Sequence, residues 1–188
     1  MVAGCDTEYN KGDTALNIHT ISLIPRTILY STHMNATDTT AGGYAGCTMR
    51  TSDMQTIATK LRNALGDRLI NRRVLLSNSV DNAKPSAGYS GWTGASNNWD
   101  WTSDYCTLMS EVQVYGSTVW SSSGYDVGEA CSQLPFFSLF NHINYAKEGF
   151  WLRSVVSSTY FAYAGGIGHA NYTGASVSGG VRPLIVIG

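Results

Sequence analysis

Histidine, cysteine and serine are the residue types that would carry catalysis in this chain, and their spacing does not favour it. The four histidines, His19, His33, His142 and His169, form no H-x-x-x-H or H-E-x-x-H pair. No two of the four cysteines, Cys5, Cys47, Cys106 and Cys131, stand in a C-x-x-C spacing, and we expect most of them to be buried thiols. Serine lacks the G-x-S-x-G elbow of a hydrolase. The sequence therefore predicts neither a catalytic residue, nor a metal site, nor a cofactor.

A different chemistry is indicated by residues 154–180, which consist of Ser, Gly, Ala, Tyr, Thr, Val and a few other types. These 27 residues contain no Lys, Glu, Gln, Met, Trp, Asp or Arg. Tyrosine offers a large amphipathic contact area, and Ser, Gly and Asn offer adaptable hydrogen bonds, as in binding loops. The pattern favours a ligand-contacting surface, for which the candidate residues are Tyr160, Tyr163, His169, Asn171, Tyr172 and Ser176. We expect Phe161 to point inward and Tyr160, Tyr172 and His169 to point outward.

Bulk composition excludes several classes of partner. The 188 residues carry a net charge of −1, and only 13% are charged, so no basic face for nucleic acid is expected. No apolar run is long enough to span a membrane, and residues 1–6 show no secretory signal. We predict a linker or cut end at residues 1–17 and one domain at residues 18–188.

The elements that would hold the candidate surface are short strands and one main helix, an α+β arrangement. Strands are predicted at Ile18 to Pro25, Val74 to Leu76, Tyr105 to Met109, Glu111 to Tyr115, Phe150 to Val155 and Val181 to Ile187. The helix is predicted over about 53–65, with Ser52 and Gln55 as a capping box and Gly66 as its end. Its buried face would contain Met54, Ile57, Leu61 and Leu65. The low-charge stretch 78–103, with Trp92, Trp99 and Trp101, has no clear periodicity.

Four segments resemble a family in the same order along the chain. Residues 35–51 resemble an opening N-x-x-x-x-x-A-G-G-[YW]-x-x-S-x-M-R motif, with Cys47 where that family often has Ser. Residues 108–116 resemble L-L-S-E-x-E-V-[FY]-G, and Phe150–Ser154 with Gly180–Pro183 resemble a closing W-W-L-R-S … G-V-R-P pair. The family is a domain of phage tail-associated and surface proteins of gut Firmicutes.

This resemblance implies a C-type-lectin-like fold whose last strands frame an exposed ligand surface. It extends to the variable proteins of diversity-generating retroelements, whose asparagine codons mutate to codons that cannot encode Lys, Glu, Gln, Met or Trp. The absence of these five types from residues 154–180 fits such a segment. The segments most similar to the calcium-site motifs of sugar-binding lectins are Gln133-Leu134-Pro135 and Asn98-Trp99-Asp100, and neither matches those motifs.

We therefore expect a binding protein and not an enzyme. The same broad fold includes formylglycine-generating oxidases, but these use a close pair of cysteines, and no two cysteines of this chain are near each other in sequence. The implied partner is a protein or glycan on a cell surface. The implied location is a virion tail or a bacterial surface, with a homo-oligomer formed through the phage particle. A structural tail or oligomerisation module without a ligand is the alternative.

Two arginines and one tryptophan are expected to build the frame. Arg153 and Arg182 follow apolar residues, so we expect buried guanidinium groups that bond backbone carbonyls or a carboxylate such as Glu111 or Glu129. We expect Trp151 in the core, whereas the other tryptophans, Trp120 included, could be core anchors or a sugar platform.

Overall fold

The computed structural model describes residues 1–81, 95–122, 131–139 and 148–188. Trp92, Glu129 and His142 lie outside these ranges. In chain order, the strands are β1 (Val2–Cys5), β2 (Ile21–Leu23), β3 (Ser31–Thr32), β4 (Arg72–Val80), β5 (Ser96–Asp104), β6 (Cys106–Leu108), β7 (Phe150–Val155), β8 (Tyr160–Ala164), β9 (Ala170–Gly174), β10 (Gly179–Gly180) and β11 (Pro183–Ile187). The α-helices are α1 (Gly43–Gly46), α2 (Gln55–Leu65), α3 (Glu111–Tyr115) and α4 (Pro135–Leu139). Mixed helices and short strands with one main helix confirm the predicted fold class at this level.

One sheet contains strands from both ends of the chain. This sheet has the order β1-β2-β11-β6 and is antiparallel throughout. Ala3 on β1 is buried, and buried Glu8 lies 3.6 Å from buried Arg72. The segment 1–17, predicted to be a linker or cut end, is thus held to the body by backbone pairing and a buried ion pair. Its polar, turn-rich composition hid a strand of four residues.

The main helix begins earlier than predicted and without the predicted cap. A π-helical segment, Met49–Met54, runs directly into α2, and Ser52 accepts no capping hydrogen bond at the helix start. The capping box was wrong because the chain at Ser52 is already helical and leaves no unpaired amide for the hydroxyl. The end is confirmed: Gly66 has φ +58°, a left-handed value suited to glycine. Met54 and Ala58 are buried, and the other predicted face residues, Ile57, Leu61 and Leu65, are half-buried.

One predicted strand is a helix. Residues Glu111–Tyr115 form α3, where Ser110 Oγ accepts the N–H of Gln113 at 3.2 Å and Gln113 Oε1 accepts the N–H of Ser110 at 3.0 Å. This reciprocal pair is a capping box, and Gly116 ends the helix at φ +82°. Short apolar runs fit both helix and strand, and the Ser-x-x-Gln spacing is the signal that would have resolved this one.

The described part of the low-charge stretch from residue 96 onward pairs with the predicted strand around Val74. Strands β4 and β5 pair antiparallel from Arg72↔Asp104 to Val80↔Ser96. Asp104 accepts from Arg50 Nε at 3.0 Å, so this pair of strands is tied to the segment that leads into the main helix.

The third sheet holds the candidate surface and separates two hydrophobic clusters. Its order is β3-β10-β7-β8-β9, with all pairs antiparallel except the parallel pair β10–β7. One cluster contains Trp151 and Phe161, and the other contains Leu152 and Leu184. The predicted frame residues Trp151, Leu152, Val181, Leu184 and Val186 are all fully buried, which confirms the core assignment of Trp151. No helix in the described ranges is long and apolar enough to cross a bilayer.

Candidate functional site

The candidate surface is largely a β-hairpin and not an exposed loop. Strands β8 and β9 pair in register from Tyr160↔Gly174 to Ala164↔Ala170, and β8 also pairs with β7. Within residues 154–180 only Ile167, His169, Ser176, Val177 and Ser178 are exposed. Residues 154–180 are therefore only partly exposed, with Phe161 buried as expected, because alternating side chains of a two-sided sheet are divided between its faces.

Tyr163 and Asn171 lie on one face of the hairpin, as a directly opposed cross-strand pair. The Tyr163 ring meets the Trp151 ring edge-on at a centroid distance of 5.3 Å. A Cβ at Gly179 would come within 2.7 Å of Trp151 Nε1 and 2.8 Å of Tyr163 Cε2, so this position has to be glycine. Burial raises the pKa of the Tyr163 hydroxyl. This tyrosine is consequently part packing residue and part surface residue.

Tyr160 and Tyr172 lie on the opposite face, where they meet a tryptophan. Their ring centroids are 5.4 Å apart, and Tyr172 meets Trp120 edge-on at 5.0 Å. All three side chains are half-buried and sit beside the Leu152 cluster. We call Tyr160, Tyr172 and Trp120 the aromatic triplet. The outward orientation expected for the two tyrosines is only half right, because one side of each ring packs on its neighbours.

His169 closes the tip of the hairpin. The N–H of Gly165 donates to the His169 carbonyl at 2.9 Å, and Gly168 has φ +89°. His169 is exposed as expected, and Ile167 beside it is 87% exposed. The tip therefore presents one imidazole and one aliphatic side chain to solvent.

Ser176 is held by a carboxylate of the loop at residues 35–43. Its N–H and its hydroxyl both donate to Asp38 Oδ1, at 2.9 and 2.7 Å. These two bonds, that of the backbone first, hold the pKa of Asp38 below its ordinary value of 3.8. A ligand that uses the Ser176 hydroxyl would compete with this contact.

The two predicted buried arginines are confirmed. Arg153 is 3% exposed, and its guanidinium donates to Gln113 Oε1 at 2.9 Å. Arg182 is 2% exposed; its Nε donates to the Pro25 carbonyl at 3.0 Å, and its Cζ lies 5.1 Å from the centre of the Phe150 ring. Burial lowers the pKa of Arg182 to about 10. Both side chains join separate segments of the backbone.

The Glu111 carboxylate binds backbone amides, whereas the sequence predicted that it could pair with a buried arginine. The carboxylate accepts the N–H groups of Val119, Trp120 and Ser121 and the Ser121 hydroxyl, at 2.6 to 3.2 Å. Glu111 is fully buried, and its own N–H bonds Ser154 Oγ at 3.0 Å. Several donors to one ionised acceptor make strong bonds. Glu111 therefore fixes the chain at Trp120, and through it one member of the aromatic triplet.

The prediction that most cysteines are buried thiols is confirmed. Cys47, Cys106 and Cys131 are buried, Cys5 is exposed, and no disulfide joins two described cysteines. Burial raises the pKa of Cys47 and of Cys106 to about 12, which suppresses thiolate reactivity.

Two further observations concern histidine and acidic side chains. Those ranges contain no group of three or more His, Cys, Asp or Glu side chains arranged to hold a metal ion. His19 Nδ1 lies 2.9 Å from Asp6 Oδ2, next to Cys5 along a cleft of about 520 Å³, with the His19 side chain 86% exposed. The Asp6–His19 contact is thus an exposed surface hydrogen bond.

The four motif segments converge in space, although they are far apart in sequence. Tyr44 Oη accepts the N–H of Leu108 at 3.0 Å, the N–H of Arg153 donates to the Met109 carbonyl at 2.8 Å, and Gly180 pairs with Phe150. A comparison with protein-family models finds no match, and no curated protein or solved structure matches the chain either.

Proposed function

We propose that this chain is a non-enzymatic receptor-binding protein of C-type-lectin-like architecture, phage-associated or carried on a bacterial surface. Its ligand would be a protein or a glycan on a cell surface. The observation that carries the proposal is the arrangement of residues 150–183. A buried frame at both ends of this segment supports a hairpin whose aromatic side chains are partly open to solvent.

The frame has the rigidity that a binding surface requires. Glu111, Gln113 and Arg153 are buried and hydrogen-bonded to one another's segments or to backbone groups. Buried polar networks of this kind fix one geometry, because any alternative would leave charges or amides without partners. Changes in the exposed side chains of the hairpin would leave this support in place.

The aromatic triplet is the part of the candidate site best suited to a ligand. Aromatic anchors that are already held in place lose little entropy when a partner binds, and they dominate many interfaces. Tyr160 and Tyr172 are held by each other and by Trp120. His169 at the tip, and Tyr163, Asn171 and Ser176 on other parts of the segment, would provide additional contacts that vary with the ligand.

We further propose that residues 154–180 are a diversified segment of the retroelement type. The support is their composition: Lys, Glu, Gln, Met and Trp make up 21 of the 188 residues, and none falls in these 27. The test is the neighbouring DNA. A reverse-transcriptase gene and a near-copy of this segment with adenines at the differing sites would support the proposal, and their absence would remove the claim of diversification.

Direct binding to cells tests the function. Fluorescently labelled protein should bind intact cells of at least one strain in a panel of gut Firmicutes, and the double variant Tyr160→Ala/Tyr172→Ala should lose at least about tenfold in affinity, as loss of aromatic anchors usually does. The matched control is Tyr9→Ala, an exposed tyrosine of the N-terminal segment outside the hairpin. Binding that the two variants reduce equally, or no binding to any strain, would count against the proposal.

A structural module is the second candidate, and one observation favours it. Ile167 is 87% exposed at the tip, and Val177 is 46% exposed nearby in sequence. Exposed aliphatic side chains are often covered in an oligomer. Light scattering on wild type and Ile167→Ser separates the candidates: a stable oligomer that dissociates in the variant supports the structural module, and a monomer in both supports a free binding surface.

A further inference from the structure

A groove outside the hairpin lies between the end of the main helix and the start of β6. Its volume is about 540 Å³, within the usual range of small-molecule sites. The groove is lined by Thr59, Arg62, Asn63, Gly66, Asp67, Leu69, Ile70, Asn71 and Tyr105. None of these residues belongs to the aromatic triplet or to residues 154–180.

The orientation of Arg62 is set by an aromatic ring. Its Cζ lies 4.6 Å from the centre of the Tyr105 ring, a cation–π contact that holds the guanidinium plane. Within the described ranges, no carboxylate lies within ion-pair distance of Arg62. The edge of the guanidinium therefore keeps its donors available, in the fork geometry that binds a carboxylate through two hydrogen bonds.

The rest of the groove is lined mainly by polar groups. Asn63, Asp67 and Asn71 are exposed, and none of their side chains makes a hydrogen bond to another described residue. Of the two aliphatic residues in the lining, Leu69 is buried and Ile70 is half-buried. Amide and carboxylate groups bond hydroxyls as donors and acceptors, so this lining suits a ligand with several hydroxyl groups.

Charge restricts the ligand further. Arg62 contributes one positive charge to the groove lining and Asp67 one negative charge, with no other charged residue in the lining. A phosphorylated ligand with two negative charges would be repelled by Asp67, whereas a single carboxylate can pair with Arg62 while hydroxyls bond Asp67.

We propose that this groove binds a saccharide that carries one carboxylate, of the uronic or sialic acid class. The carboxylate would pair with Arg62, and ring hydroxyls would bond Asn63, Asp67 and Asn71. The site is independent of the receptor-binding proposal, since it uses different residues and requires no diversified segment.

A matched pair of sugars tests the carboxylate directly. Methyl β-glucuronide and methyl β-glucoside differ only in that group, and N-acetylneuraminate represents the second class. Each would be titrated into the purified protein and followed by amide chemical shifts. We expect at least one acid to bind with a Kd of about 1 mM, near −4 kcal/mol, and the glucoside to bind at least about tenfold more weakly. Shifts should centre on residues 59–71 and 105.

Variants separate recognition by Arg62 from a general effect of charge. Arg62→Ala should remove the preference for the acid, and Arg62→Lys should retain only part of it, because lysine keeps the charge but not the fork. Arg68→Ala is the matched control, an exposed arginine that does not line this groove, and it should bind as wild type does. The proposal is overturned if neither acid binds up to about 20 mM, if the glucoside binds equally well, or if the Arg62→Ala and Arg68→Ala variants behave alike.

Discussion

Arg153 lies on β7, in the same sheet as the β8–β9 hairpin, yet the frame around Glu111 and Arg153 and the hairpin are built on different chemistry. In the frame, carboxylate, guanidinium and amide groups are fully buried and bonded to defined partners. In the hairpin, Tyr160, Tyr163 and Tyr172 are only half-buried, and the tip is exposed. A side chain in the frame can therefore change only at a large cost in stability, whereas the outer positions of the hairpin tolerate change. That difference is the physical basis of our proposal that a fixed support carries a surface that varies.

The largest effect is expected at Trp151. Its ring is fully buried between Tyr163 and Gly179, and its Nε1–H donates to the Thr32 carbonyl at 2.9 Å. Trp151→Ala should lower the free energy of unfolding by about 3–5 kcal/mol, the usual range for a large buried aromatic. Denaturant unfolding measures it, and a loss under about 1 kcal/mol would show that this part of the frame is not rigid.

Glu111→Gln should have the next largest effect. The glutamine amide has the same shape as the Glu111 carboxylate, but its NH2 group cannot accept hydrogen bonds. The N–H groups that donate to the carboxylate in the wild type would face this NH2 group, and leaving one buried donor without a partner costs about 1–3 kcal/mol. Asp53→Asn is the control, because Asp53 accepts one exposed hydrogen bond from the Tyr30 hydroxyl. The same unfolding measurement should show little change in the control, and equal losses in the two variants would contradict the role given to Glu111.

Tyr172 and His169 allow a half-buried position of the hairpin to be compared with an exposed one. From composition alone both should tolerate alanine within about 0.5 kcal/mol, but the structure packs Tyr172 against Trp120 and Tyr160. Tyr172→Ala should therefore cost about 1–2 kcal/mol, from lost burial and aromatic contacts, while His169→Ala stays within about 0.5 kcal/mol. If Tyr172→Ala is as damaging as Trp151→Ala, Tyr172 belongs to the frame.

The smallest effect concerns pH and the Asp38–Ser176 contact. The bonds from Ser176 lower the pKa of folded Asp38 below 3.8, so their contribution to stability is present above the unfolded pKa and is lost as the pH falls through the lower folded pKa. Ser176→Ala removes the hydroxyl bond and should move the Asp38 pKa upward, toward 3.8. Titration of the Asp38 carboxyl by NMR measures the shift, and an unchanged pKa would mean that the hydroxyl bond contributes nothing.

Much of the frame could be predicted from the sequence, and the reasons are local. Trp151, Leu152 and Val181 stand in apolar runs, and an arginine inside such a run can be buried only with bonded partners. Gly66 marks the end of the main helix, as glycine does where the chain turns left-handed.

The errors come from features that sequence periodicity does not resolve. Glu111–Tyr115 is apolar enough for a strand, and its helix depends on one reciprocal pair of hydrogen bonds. Val2–Cys5 becomes a strand only because β2 lies beside it. The division of Tyr160 and Tyr163 between opposite faces follows from strand pairing, which the loop-like composition of residues 154–180 concealed. The groove at Arg62 joins residues that are 43 positions apart in sequence, with no local signal.

The central claim is that a fixed frame supports a variable hairpin, and a saturation-mutagenesis stability scan of residues 150–183 tests it most directly. Every substitution would be scored by protease resistance of the displayed protein. Trp151, Arg153, Phe161, Gly179 and Arg182 should tolerate almost nothing, because each is buried and, at Gly179, a side chain would collide with Trp151. His169, Ser176 and Ile167 should accept most residue types, and Tyr160 and Tyr172 should accept other large side chains. If these outer positions prove as intolerant as Trp151, the hairpin is core and the account of a variable surface is wrong.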